Sequence, residues 1–217
     1  MNNPFSTFEQ TGVIPVIAID RVEDAIPLAD ALLEGGLPLA EITFRTAAAA
    51  EVIARIRQQR PEILVGAGTL LDAESVAIAS QSGAAFGLAP GTDPRVLEAA
   101  QQQGMPFAPG IMTPSDLSLT LPFATKVAKF FPAGIIGGPS ALQGISAPFS
   151  HLGIRFIPTG GIGEQTLADW LRLPMVLAVG GSWIARSEDI RAGNFRQITR
   201  NAQAARAIVA QVREASA

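Results

Sequence analysis

Short apolar runs of five to seven residues alternate with longer amphipathic stretches along the 217-residue chain, and this alternation limits the available folds more than any single residue does. The runs are VIPVIAI (13 to 19), LAEITF (39 to 44), EILVGA (62 to 67), AAFGLA (84 to 89), MPFAP (105 to 109), KVAKFF (126 to 131), IRFIP (154 to 158) and MVLAV (175 to 179). Between them lie stretches such as RVEDAIPLADALLEGG and TAAAAEVIARIRQQRP, whose apolar residues recur at three and four, the spacing of one helix face. DAESVAIASQSG opens on Asp72 as N-cap and stops at Gly83; DPRVLEAAQQQG opens on Asp93 and stops at Gly104. Eight strand-then-helix units predict a (β/α)8 TIM barrel, a single domain over residues 1–217, with chemistry at the carboxyl ends of its strands. An open doubly wound sheet would need fewer strands or a visible switch point. Residues 3 to 11 predict a short N-terminal helix that closes the barrel bottom, and residues 193 to 215 a final amphipathic helix.

Composition narrows the chemistry. With 16% charged residues, net charge -3 and pI near 5.2, the chain has no electrostatic footprint for nucleic acid or an anionic membrane, which points to a small-molecule ligand. It has no cysteine, no signal-like start in MNNPFSTFEQTG and no apolar run long enough to span a bilayer, so a soluble, cytoplasmic protein is expected. A single histidine, His151, excludes a His-rich metal site. Between Ser150 and Leu152, before the GIRFIP run, it reads as a loop or structural residue. Tyrosine is absent, so acid-base work falls to Asp, Glu, Lys or water.

In LAEITFRT the strand period of two puts Glu41, Thr43 and Arg45 on one side and Ile42 and Phe44 on the other. With helices outside, the apolar pair faces them and the polar set faces the barrel axis. A carboxylate there is costly unless paired or used, so Glu41 is either an ion-pair partner of Arg45 or a catalytic group. Of the 16 basic residues only two are lysines, and both lie in KVAKFF. The same period separates Lys126, at the solvated edge, from Lys129, which shares the inward face with Val127 and Phe131. Desolvation and a neighbouring Arg45 favour the neutral amine, the form a Schiff base needs, and arginine cannot replace it because a guanidinium stays protonated. Snorkelling, or a pair with Glu41, is the bland alternative.

PTGGIG (158 to 163) follows the seventh run and VGGSW (179 to 183) the eighth, where barrels commonly hold phosphate on backbone N–H groups. Paired glycines let the backbone approach an anion closely. VGAGTLL puts Thr69 just past the third run, as a donor for a carboxylate or as a helix cap, and Pro90 starts the turn after the fourth. No Walker loop and no GxGxxG after the first run speaks for a nucleotide.

Taken in order, ExTxRT (Glu41 to Thr46), VGAGT (Val65 to Thr69), PGxxTPS (Pro109 to Ser115), KFFPA (Lys129 to Ala133), PTGGI (Pro158 to Ile162) and GGSW (Gly180 to Trp183) closely resemble the KDPG/KHG aldolase family over nearly the whole chain. The resemblance implies a metal-independent class I aldolase that needs no cofactor and is usually a homotrimer. Its substrate would be the phosphorylated 2-keto-3-deoxy sugar acid of the Entner-Doudoroff pathway, 2-dehydro-3-deoxy-6-phosphogluconate (KDPG), split to pyruvate and glyceraldehyde 3-phosphate. By the same resemblance Lys129 forms the Schiff base and Glu41 shuttles protons. Arg45 and Thr69 hold the pyruvate carboxylate, and Phe131 packs beside the pyruvyl portion. Gly160, Gly161, Gly181 and Ser182 surround the phosphate, with Pro90, Thr159 and Gly180 completing the substrate contacts. A pyruvate aldolase that prefers 4-hydroxy-2-oxoglutarate or the galactonate-derived isomer of KDPG is the alternative. A non-catalytic sugar-phosphate-binding barrel and a carboxylate-only isomerase stand further off. Family members often carry an acidic residue after KFFPA, where this chain has Gly134.

Overall fold

The computed structural model describes residues 4–215. Helix α1 (Pro4–Thr11) opens the chain; Asn3, the expected start, lies outside the described residues. The strands are β1 (Val13–Ile17), β2 (Leu39–Thr43), β3 (Leu64–Gly68), β4 (Gly87–Leu88), β5 (Phe107–Ala108), β6 (Gly110–Ile111), β7 (Val127–Phe130), β8 (Arg155–Pro158) and β9 (Val179–Gly181). Between and after them run α2 (Ala25–Glu34), α3 (Ala49–Gln59), α4 (Ala73–Gln81), α5 (Pro94–Gln102), α6 (Pro114–Thr120), α7 (Gly138–Ser146), α8 (Glu164–Leu171), α9 (Ser187–Arg191) and α10 (Phe195–Glu214). The strands pair in parallel, six in the order β5-β4-β3-β2-β1-β9 and three in the order β6-β7-β8.

Three of the expected strands are laid down differently. The fifth run divides at Pro109, which has no N–H for the ladder: Phe107 and Ala108 pair with β4, whereas Gly110 and Ile111 pair with β7. The eighth shifts toward its glycines. Val176 makes only an isolated bridge to Phe156, and pairing resumes at Val179–Gly181, where Gly180 and Gly181 lie opposite Ile14 and Pro15 of β1. The fourth run is strand only at Gly87–Leu88.

Period-two alternation divides the apolar residues into two clusters. Outward side chains such as Ala40, Ile42, Val65, Ala67 and Phe130 join the helices in the larger one, and Phe44 packs on it, as the alternation in LAEITF predicts. Inward side chains, among them Ile14, Leu39, Phe86, Val127 and Ile157, form a smaller cluster with Phe8 of α1. One step of two brings Glu41, Lys129 and Thr159 onto the inward face after Leu39, Val127 and Ile157, whereas the same step after Ile14 and Phe86 keeps apolar Val16 and Leu88. Polarity therefore begins toward the carboxyl ends of β2, β7 and β8.

The helices start where their caps allow. Asp72 accepts the Ser75 backbone N–H at 2.7 Å in a reciprocal capping box, and Asp93 accepts from the Arg95 N–H at 2.9 Å. The Ser75 hydrogen bonds, backbone first, hold the Asp72 carboxyl below the usual carboxylate range. Its contribution to stability is thus present above the unfolded value, about 3.9, and is lost as pH falls through the lower folded value. Asp72→Ala should melt below the parent protein at neutral pH, with the gap narrowing below about pH 4.

Candidate active site

The site is built on β2 and β7, which place Glu41 and Lys129 on facing inward positions. Both are buried, at 0% and 4% exposure, and Lys129 Nζ donates to Glu41 Oε1 at 3.1 Å. Two charges taken so far from water need each other, because an unpaired member would carry the whole desolvation cost. The other carboxylate oxygen, Glu41 Oε2, is buried with no hydrogen-bond partner among the described residues. One oxygen thus holds the amine while the second retains its accepting capacity. The Phe131 ring centroid lies 5.8 Å from Nζ and gives the amine an apolar wall.

Glycines in β3 make this arrangement possible. Its inward positions are Leu64, Gly66 and Gly68, and a Cβ on Gly66 would collide with the Phe86 ring. A Cβ on Gly68 would overlap the Glu41 carboxylate itself. The carboxylate thus occupies the space that any other residue at 68 would fill.

Beside the pair opens a cavity of about 260 Å³ whose wall includes Arg45, Thr69, Pro90, Lys129 and Phe131. Thr159, Gly160, Gly161, Gly180 and Ser182 also line it, with Gly160 packed close to the Phe131 ring. Of the residues expected from sequence, Glu41 lies beneath Lys129 rather than in the wall. Gly181 is also absent from the wall: it is buried, and the Trp183 ring occupies the space beside its Cα. The Glu41–Arg45 ion pair, one of the two readings of Glu41, does not form. Arg45 is exposed at the mouth and its Nε donates to Thr43 Oγ1 at 3.3 Å, leaving Lys129 as the partner of Glu41. Thr69 is not the cap of α4, a role held by Asp72; it lines the cavity with φ +59°, a left-handed conformation unusual for a β-branched residue. Lys126 is exposed at the edge of β7, as the alternation predicts, and His151 is exposed on a 3-10 turn.

A model of the family described as KDPG and KHG aldolase matches residues 6–201. The chain belongs to this family. It is 44% identical to the 2-dehydro-3-deoxy-phosphogluconate aldolase of Treponema pallidum, over 90% of this chain and 92% of that one. It is 42% identical to the KHG/KDPG aldolase of Escherichia coli K12, over 89% and 90% respectively. Among solved structures, the KDPG aldolase of Legionella pneumophila, with pyruvate captured at low pH as a covalent carbinolamine, superposes with a TM-score of 0.89 at 37% identity, covering 94% of this chain and 98% of that one.

Three residues of this family member line the cavity without having been singled out for it: Val16, Thr43 and Ile162. Thr43 had a signal, because it shares the inward face of β2 with Glu41. Its buried hydroxyl donates to the Ile17 carbonyl at 3.0 Å and accepts from Arg45 Nε, so it ties the mouth arginine to β1. Thr43→Val keeps the shape and removes both bonds; it should raise KM for pyruvate-releasing substrates about threefold to tenfold, with Thr43→Ser restoring it. Steady-state kinetics on the three proteins checks this.

Proposed function

We propose that the protein is a class I aldolase that cleaves KDPG to pyruvate and glyceraldehyde 3-phosphate. The observation that carries this reading is the buried Lys129 amine, 3.1 Å from the Glu41 carboxylate at the floor of the cavity. Lys129 Nζ attacks the C2 carbonyl, and loss of water from the carbinolamine gives a protonated imine. Glu41, through Oε2 or a water, takes the C4 hydroxyl proton. The C3–C4 bond breaks, its electrons pass into the imine to give an enamine, and the aldehyde leaves. Protonation of the enamine at C3 and hydrolysis of the imine release pyruvate and restore the amine.

Arg45 and Thr69, in the cavity wall, are suited to the pyruvate carboxylate, one as a fixed cation and the other as a hydroxyl donor. Gly160 and Gly161, with φ of +94° and +72°, together with Gly180 and Ser182 of the same cavity, suit the phosphate. Gly181 serves instead as the flat bed for Trp183.

The finer architecture belongs to the same reading. A closed (β/α)8 barrel forming one domain over residues 1–217 is supported by the single residue, Pro109, between β5 and β6. The isolated bridges Phe156–Val176 and Thr159–Gly180 support it too, spanning the gap between β8 and β9. A homotrimer is supported by the exposed apolar side chains Leu71 and Ile78 of the third unit and Met112, Leu119 and Leu121 of the fifth. A cytoplasmic setting accords with the absence of cysteine.

Borohydride reduction in the presence of pyruvate, followed by peptide mapping, tests mechanism and residue together: the adduct is expected on Lys129 and not on Lys126. Substrate choice is read from kcat/KM, expected to be highest for KDPG. Better use of 4-hydroxy-2-oxoglutarate or of the galactonate-derived isomer would overturn the substrate assignment while leaving the Schiff base standing.

A further inference from the structure

Asn201 sits on α10, far along the sequence from the glycine loops, yet its side chain reaches the loop that follows β9. Asn201 Nδ2 donates to two consecutive main-chain carbonyls, Trp183 at 3.2 Å and Ile184 at 3.1 Å. Its Oδ1 accepts from Gln197 Nε2 at 2.7 Å, and Gln197 Oε1 in turn accepts from Arg200 at 2.6 Å. The amide is thereby oriented from its own helix and presents its N–H groups to the loop.

Those carbonyls belong to the two residues directly after Ser182, and Ile184 is fully buried. A buried carbonyl deprived of its donor bears a desolvation cost that a loop can relieve by moving. Within the same loop the Trp183 ring fills the space beside Gly181. Asn201 and the indole therefore grip the segment that presents Gly180 and Ser182 to the cavity. Asn201 also lines a second cavity of about 610 Å³, which has Gly161 in its wall as the catalytic one does.

We infer that Asn201 is a positioning residue for the phosphate end of the substrate: it fixes the main chain after Ser182 so that the loop's hydroxyl and N–H groups point into the cavity. The inference rests on the reading that the phosphate binds at Gly160, Gly161, Gly180 and Ser182. On the same reading the pyruvyl half is held by Lys129, Arg45 and Thr69, none of which belongs to this loop.

The test compares KDPG with unphosphorylated 4-hydroxy-2-oxoglutarate for the parent protein, Asn201→Leu, Gln197→Leu and Ser182→Ala. In Asn201→Leu, KM for KDPG is expected to rise about fivefold to tenfold with kcat changed by less than about twofold, and kcat/KM for the unphosphorylated substrate to hold within about twofold. Gln197→Leu, which leaves the Asn201 amide in place but unoriented, should shift KM for KDPG in the same direction by a smaller factor, and it serves if Asn201→Leu does not fold. Equal losses on both substrates, or no change on either, would overturn the assignment of Asn201. Ser182→Ala separates the two levels. If it raises KM for KDPG while the α10 variants do not, only the role of Asn201 falls; if it leaves KM unchanged, the phosphate reading falls and the inference with it.

Discussion

Lys129→Arg is expected to lower kcat/KM for KDPG by about four orders of magnitude or more and to abolish borohydride trapping with pyruvate, while Lys126→Ala changes kcat/KM by less than about twofold. Arginine keeps the positive charge and much of the length, so a role in charge or packing alone would survive the substitution in part. It offers no free amine, and no imine can form without one. Lys129 is 4% exposed and sits at an inward position, whereas Lys126, three residues earlier and just before β7 begins, is exposed. The two lysines thus form an internal control of equal chemistry and different placement. Lys129→Met would also leave Glu41 buried without its cation, a loss of about 3 to 5 kcal/mol if the carboxylate stays charged. The arginine variant is for that reason the cleaner comparison, and its folding is checked by circular dichroism before kinetics. Retained trapping in Lys129→Arg would place the Schiff base elsewhere and sink the mechanism.

The inward placement of Lys129 was readable because strand alternation is a local property: Val127 and Lys129 fall on one face and Ala128 and Phe130 on the other, whatever the rest of the chain does. The same holds for Glu41 against Ile42. What local periodicity could not supply was the choice of partner for Glu41. Arg45 lies two residues past the end of β2, in a turn where its N–H donates to the Thr43 carbonyl at 2.8 Å, and its side chain is exposed at the mouth. Lys129, 88 positions away in sequence, arrives at carboxylate height on a neighbouring part of the wall. Strand ends were read less well for a related reason. Pro109 interrupts one ladder and glycines 180 and 181 extend another, and both effects depend on which strand lies opposite. Gly66 and Gly68 had no role assigned from the strand pattern; their packing role is to leave room for Phe86 and for the Glu41 carboxylate. Asn201 left no trace in the pattern, because a polar residue on a terminal helix is ordinarily solvated and only the fold brings it to the Trp183 and Ile184 carbonyls.

Glu41→Gln is expected to lower kcat for KDPG by about 10²- to 10⁴-fold while imine formation with pyruvate, read by borohydride trapping, persists at a reduced rate. The amide keeps the shape of the carboxylate and can accept a hydrogen bond from Lys129 through its oxygen, so the floor of the cavity stays filled. It cannot take the C4 hydroxyl proton, and bond cleavage stalls after the imine has formed. Gly68→Ala should produce the same kinetic pattern without touching either ionisable group, since its methyl group would overlap the Glu41 carboxylate and drive it from its place. The coupling between the two positions is the decisive quantity. If Gly68 acts only by leaving room for that carboxylate, the double variant loses little more activity than Glu41→Gln alone, whereas independent roles would make the losses multiply. Multiplying losses would mean that Gly68 shapes the cavity through something other than Glu41, such as the left-handed turn at Thr69 that directly follows it.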